Sequence, residues 1–421
     1  MRESDEIARH YADVRSQSES LCAHLPVDDF GLQAMPETSP LKWHLAHTSW
    51  FFETFILNHA DKAYRPFDDR LKPLFNSYYN GIGKQHPRAQ RHLLSRPTLH
   101  QVNAYRKHVD AHMLSLLEKV DPAGEVGQRT LLGLHHEAQH QELMLTDLKY
   151  NLACNPLYPA YLESELVQEA ERELAFIGFD GGLVEIGADN GKFCFDNELP
   201  KHHHWLEPFE LASRPVSNGE YLAFIEDGGY RNPMLWLSDG WSALNEAKWQ
   251  HPLYWRQVDG AWHEFTLHGL KPLDRHRTVV HLSYYEADAF AHWAEARLPT
   301  EQEWEHAASS RALQGQFRNV DHLLHPGAGI DQGAMSDLFG GVWEWTCSPY
   351  TAYPGYRPTV GAIGEYNGKF MCNQMVLRGG SCVTPSWHMQ RSSYRNFFYP
   401  PDRWQFSGVR LARDARTPTE E

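Results

Sequence analysis

The sequence predicts an α + (α+β) chain in two parts: a four-helix bundle over residues 1–160, then a mixed α+β domain over residues 161–421. Three observations predict it. Apolar residues recur at helical spacing from about residue 5 to 155. A polar, connector-like stretch, NPLYPAYLESELVQEAERE (155–173), follows. Beyond it the texture changes to Gly, Trp and short β-like runs. The length of 421 residues agrees with a division, because single cores stop growing near about 250–300 residues.

The first helix is expected around residues 4–24. The second is LKWHLAHTSWFFETFILN (41–58), preceded by Thr38-Ser39-Pro40, which reads as a Ser cap with Pro in the first turn. The third and fourth are TLHQVNAYRKHVDAHMLSLLEKV (98–120) and QRTLLGLHHEAQHQELMLTDLKYNLA (128–153). Four long helices with apolar faces pack most simply as a bundle. The connection FNSYYNGIGKQHPRAQRHLLSRP (75–97) is long for a compact domain and rich in aromatic residues and Arg, which favours a functional loop. In the second part, AFIGFDGGLVEIG, HHHWLEPFELAS, TVVHLSY, MVLRGGS and FSGVRLAR read as strands, and NGEYLAFIEDGG (218–229) and SYYEADAFAHWAEAR (283–297) as helices. No fixed-period repeat is present.

Composition excludes several classes. A formal net charge of −15 opposes nucleic acid and anionic membranes as partners, since both require a cationic footprint. The charged start, MRESDEIARHYADVRSQSES, has no apolar leader core, and no run of roughly 18 apolar residues occurs, so a soluble cytoplasmic protein is expected. Six cysteines without a C-x-x-C pair point to reduced thiols.

The fourth helix contains His136-Glu137-Ala138-Gln139-His140, which fits H-E-x-x-H. Residues four apart share a helix face, so His136 and His140 can reach one ion. The metzincin continuation fails, because Leu143 and Thr146 stand where Gly and His are required. A downstream Glu163 or Glu165 could be the third ligand but lies in connector-like sequence, and a better candidate is His47 in WHLAH on the second helix, with His44 three residues earlier as a substitute. Three neutral imidazoles with open positions suit a hydrolytic zinc, with Glu137 as general base, or a non-haem Fe(II) that admits oxygen and substrate.

The run His136-x-x-x-His140-x-Glu142, the upstream LAH (45–47), and RLPTEQEWEHAA (297–308), GGVWEW (340–345), LRGGS (377–381) and RNFFYPPDRWQFSGVRLA (395–412) together resemble the ergothioneine-type sulfoxide synthases and the related selenoneine-forming enzymes. Nearly the whole chain takes part. The resemblance implies a DinB-like iron-binding bundle (1–160) and a formylglycine-generating-enzyme-like domain with a C-type-lectin-like fold (161–421). It implies Fe(II) held by His47, His136 and His140, with O2, Nα-trimethylhistidine and a thiol or selenol donor as small-molecule substrates. Gln139 matches a residue near the trimethylhistidine, and Glu142 is expected to support the ligand helix. Tyr78 and Tyr79 correspond to tyrosines that some branches place beside the iron, whereas other branches draw the phenol from the C-terminal domain. Arg88 and Arg91 match the pair that holds the donor's carboxylate, for which a guanidinium fork is suited. Asn396, Phe397 and Phe398 match the segment lining the substrate pocket, where aromatic faces attract a trimethylammonium group.

Phe398 stands where relatives that use γ-glutamylcysteine carry an acid, which favours free cysteine or another small donor such as a selenosugar. Cys382 has no near downstream cysteine partner, unlike true formylglycine-generating enzymes. A non-enzymatic, lectin-like binding module is the remaining alternative.

Overall fold

The computed structural model describes residues 3–189, 191–318, 324–327, 335–389 and 391–415. Two compact units emerge: Met1–Leu157 together with Pro358–Tyr366, and Tyr158–Arg357 together with Asn367–Glu421. The first unit is discontinuous in sequence, and this matters for the site.

The first unit is built on α1 (Glu3–Ser20), α2 (Leu41–Phe52), two short helices α3 (Asn58–Ala60) and α4 (Lys72–Phe75), α5 (Leu99–Leu117) and α6 (Glu125–Ala153). The four long helices are those expected from periodicity. Helices α1 and α2 each pack against both α5 and α6. Gly133 on α6 makes the α2 contact possible, because a Cβ there would lie 2.6 Å from the Phe52 ring. The expected Ser39 cap is not formed. Pro40 occupies the cap position of α2 without a side-chain bond, and the Ser39 backbone N–H donates to Asp147 on α6 instead, at 2.8 Å. Helix α5 has a full capping box, Thr98 with Gln101. Helix α2 runs into a π-helical turn, Glu53–Leu57, where the buried Glu53 carboxylate accepts from the hydroxyls of Tyr64 and Tyr105 at 2.7 and 2.6 Å.

The second unit has the sheet content expected after residue 160, with strands β1 (Phe176–Phe179), β2 (Gly182–Ile186), β3 (His202–Leu206), β4 (Phe209–Ala212), β5 (Trp255–Val258), β6 (Ala261–Thr266), β7 (Gly269–Pro272), β8 (Trp343–Pro349), β9 (Met375–Arg378), β10 (Asn396–Phe398), β11 (Ser407–Gly408) and β12 (Ala412–Asp414). They form four small sheets, ordered β1-β4-β12, β10-β9-β8-β11, β2-β3 and β5-β6-β7. Helices α7 (Asn218–Glu226), α8 (Ser238–Ala247), α9 (Tyr284–Trp293) and α10 (Glu301–Ser309) complete the unit. TVVHLSY is not a strand; Thr278 makes an isolated bridge to Ser217.

The motif segments of this unit meet in one core. Thr300 caps α10 with Glu303. The Trp304 indole N–H donates to Glu344 at 2.6 Å, and Glu344, fully buried, is held by the Arg410 guanidinium at 2.7–2.9 Å. Gly379 of LRGGS has φ +100°, and a Cβ there would lie 2.6 Å from the Leu338 carbonyl oxygen, so only glycine serves. None of the six cysteines is in a disulfide. Among the described residues, no helix is long and apolar enough to cross a membrane.

Candidate metal centre

The three expected histidines meet in the first unit. His136 and His140 project from one face of α6 and His47 from α2, and one ring nitrogen from each lies within 4.8 Å of the other two. All three rings are held. Trp43 and Trp50, four residues before and three after His47 on α2, stack on it at 4.6 Å (11°) and 5.5 Å (17°) between centroids. Phe51 stacks on His136 at 4.3 Å. The last carbonyls of α4, left over by the helix ladder, accept from this group: Leu74 from the Trp43 indole at 3.0 Å, and Phe75 from His47 Nδ1 at 2.6 Å.

That last bond assigns the tautomer. With its proton on Nδ1, His47 turns the Nε2 lone pair toward His136 Nε2, 3.2 Å away. His136 Nδ1 is buried without a hydrogen-bond partner. Burial pushes the pKa of all three imidazoles well below the ordinary range, and their neighbours push in the same direction: His140 for His47, His47 for His136, His136 for His140. Neutral imidazoles converging on one point, with lone pairs available and one polar atom orphaned, fit a shared cation.

His44 is not in the triple. Its Nδ1 lies 2.9 Å from His140 Nδ1 and its Nε2 lies 3.1 Å from Asp147 Oδ2. Glu137 is not at the cluster's disposal either. Its carboxylate is fully buried and bound by Arg15 at 2.9 Å, Arg106 at 3.2 Å and Ser18 Oγ at 2.6 Å. A zinc hydrolase would need that carboxylate facing a metal-bound water. Here it neutralises two buried guanidinium groups.

Arg91 is the opposite case. It is 5 % exposed, its Nη1 donates to Ser39 Oγ at 2.7 Å, its guanidinium carbon sits 3.3 Å from the Trp43 ring centroid, and its Nε is buried without a partner. Burial and the charge of Arg88 both work against its own charge. Arg88 is more exposed and donates to the Glu37 carbonyl.

The phenols are distributed differently from the sequence reading. Tyr79 is fully buried against Trp50, Phe51 and Phe55, the first two being the rings stacked on His47 and His136. Its hydroxyl lies 3.5 Å from that of Tyr78, and burial raises its pKa well above the usual phenol range. Sequence reasoning missed a third phenol, Tyr366. The return segment Pro358–Tyr366 belongs to the first unit, and the Glu365 carboxylate accepts from the backbone N–H groups of Asn80 and Gly81 at 3.0 and 2.7 Å. This places the Tyr366 ring against His136, 5.6 Å between centroids, and its hydroxyl donates to Gln139 Oε1.

In the second unit, Asn396, Phe397 and Phe398 form β10. Phe397 is stacked on Tyr350 at 4.1 Å, and Phe398 meets Trp404 edge-on at 6.0 Å. No local pattern marks Tyr366 in the sequence. Asp147 was findable, because it follows His140 by seven residues, two helical turns along one face.

A helical bundle presenting three converging imidazoles, two buried and one half-buried, carried on one chain with a domain of small sheets, defines a two-domain class. Residues 10–144 match the DinB superfamily, and residues 163–333 and 331–415 match the sulfatase-modifying factor enzyme 1-like domain. The chain is 32 % identical over 412 residues to hercynine oxygenase of Mycolicibacterium smegmatis, covering 91 % of this chain and 92 % of that one. It is 31 % identical over 444 residues to hercynine oxygenase of Mycobacterium tuberculosis, covering 98 % and 100 %. Ergothioneine biosynthesis protein 1 of Schizosaccharomyces pombe is 28 % identical over 234 residues, 53 % of this chain and 28 % of that protein. The chain belongs to the hercynine oxygenase family.

Proposed function

We propose that the chain joins the sulfur of a small thiol to an imidazole carbon of Nα-trimethylhistidine (hercynine) with O2, giving a sulfoxide on the route to ergothioneine. The thiol S–H and imidazole C–H bonds break, the C–S and S–O bonds form, and the second oxygen atom leaves as water. The observation that carries this reading is the convergence of His47 and His136, both buried, with the half-buried His140 in a chain of this family. These three would hold Fe(II), which when bound supplies the oxygen activation that no side chain offers.

The chain's own groups bind, orient and move protons. Arg91, buried without a carboxylate partner in the described hydrogen bonds, is suited to the donor's carboxylate, with Arg88 adding charge at the more exposed side. Gln139 orients the substrate imidazole beside His140. Tyr366, bonded to Gln139 and packed on His136, holds the proton delivered to the reacting atoms, with Tyr79 and Tyr78 extending the phenol group behind it. The substrate-lining role expected for Asn396, Phe397 and Phe398 belongs to the proposal, and Asn396→Ala tests it through the KM for trimethylhistidine. Because Phe398 carries no charge, free cysteine is the first donor to try, and a selenosugar is the second.

The test is anaerobic loading with Fe(II), then oxygen and trimethylhistidine with cysteine, γ-glutamylcysteine or a selenosugar in parallel, read by mass spectrometry. A sulfoxide or selenium adduct that requires Fe(II) and O2 supports the reading. Oxygen-independent turnover, or none with any donor, contradicts it.

A further inference from the structure

We propose that His44 and Asp147 are positioning residues for the metal centre, forming a two-step hydrogen-bond relay that fixes the tautomer and ring angle of His140. The proposal rests on the three-histidine reading above and extends it to residues that hold no metal themselves.

The chain of partners leaves little choice of proton placement. The Asp147 carboxylate only accepts. At 3.1 Å from it, His44 Nε2 therefore carries the N–H, and the neutral ring presents a bare Nδ1 on its other side. That Nδ1 lies 2.9 Å from His140 Nδ1, so His140 donates. With its proton on Nδ1, His140 leaves Nε2 bare, and only a bare nitrogen can ligate. The relay ends on the backbone. Ser39 N–H donates to the same Asp147 oxygen at 2.8 Å, holding the carboxylate in place, and the Ser39 hydroxyl accepts from Arg91 at 2.7 Å. One residue thus anchors both the relay and the arginine assigned to the donor's carboxylate.

Metal-bound histidines usually donate their second N–H directly to a carboxylate or carbonyl, and loss of that partner weakens metal binding by about 10–100-fold. His47 follows that pattern through Phe75. His140 differs in having a second imidazole interposed before the carboxylate. His44 is 2 % exposed and Asp147 is 2 % exposed, so no open solvent can replace either partner.

Co(II), added to the full-length metal-free protein, is the probe, with its visible absorption band as a signature of ligand geometry. His44→Leu is expected to weaken Co(II) binding about 10–100-fold and to change the band. His44→Asn, whose side-chain oxygen approximates the Nδ1 acceptor, is expected to recover most of the affinity and the wild-type band. Asp147→Asn keeps the shape but not the charge, and a weakening at the low end, about 10-fold, is expected. Melting of each metal-free variant reports folding separately. Wild-type affinity and band in either His44→Leu or Asp147→Asn would overturn the relay. If Co(II) binding to the wild type is itself insensitive to His136→Ala, the three-histidine reading fails instead, and the two failures are told apart.

Discussion

The buried arginines of the first unit, Arg15 and Arg106 on one hand and Arg91 on the other, are treated in opposite ways. Arg15 and Arg106 are met by the Glu137 and Asp110 carboxylates, and their hydrogen bonds run to side chains and carbonyls within the bundle. Arg91 is hydrogen-bonded to a serine hydroxyl and lies over the face of an indole, with the positive Arg88 nearby and Asp147 acting on it without a hydrogen bond to it among those described. The same contrast separates neighbours within one short motif. Glu137 is fully committed, whereas His136, one residue earlier, has a buried ring nitrogen with no partner. Folding stability demands that buried charges be matched. Where the chain leaves polar atoms unmatched at similar depth, something other than stability explains their retention, and under the proposed function a metal and an anionic donor would supply the missing partners.

Substitutions on the two sides should therefore separate function from stability. His136→Ala or His47→Ala, on the unmatched side, is expected to abolish product formation while leaving the metal-free protein folded; sulfoxide at more than a trace level would break the contrast. Glu137→Gln, on the matched side, is expected to cost about 3–5 kcal/mol of stability in denaturant melts, because Arg106 loses its buried counter-charge and Arg15 one of its two carboxylates, yet to keep Fe(II) binding. Loss of turnover with full stability would instead favour the hydrolase geometry.

Tyr366→Phe is expected to lower product formation about 100-fold or more and to shift products toward oxidised thiol, with oxygen still consumed. Tyr79→Phe tests whether the second phenol shares the role, and a larger shift there than at Tyr366 would reassign it. Arg91→Met is expected to raise the donor's KM about 10–100-fold, the worth of charge-assisted hydrogen bonds, without lowering the stability of the metal-free protein, since the neighbouring Asp147 carboxylate keeps its bonds to Ser39 and His44. A stability loss like that of Glu137→Gln would show that Arg91 has a structural partner after all.

Much of this was legible in the sequence. The four long helices follow from periodicity, and the i, i+4 spacing placed His136 and His140 on one face. His47 required the further inference that α2 faces α6. The hairpin β5-β6 was missed although Asp259-Gly260, both at positive φ, is the usual two-residue turn signal. TVVHLSY misled because β-branched composition does not create a strand partner. Tyr366 was not legible for a physical reason. Its partner Gln139 is 227 residues away in the chain, and the contact depends on a short segment returning to the first unit, which no local pattern encodes.

The smallest expected effect is on pH dependence. Burial lowers the pKa of His47, His136 and His140, so the folded metal-free protein binds fewer protons than the unfolded chain below about pH 6.5. Its stability should fall as pH drops through that range, with each histidine adding at most about 1.4 kcal/mol per pH unit. His136→Gln should flatten the slope, and an unchanged slope would show that the ring is not desolvated.

The most direct test of the central claim is X-ray absorption on the Fe(II)-loaded protein before oxygen is admitted. The account predicts a single iron with three imidazole nitrogens, falling to two in His47→Ala. An iron with fewer imidazoles in the wild type, or one unchanged by that substitution, would contradict it.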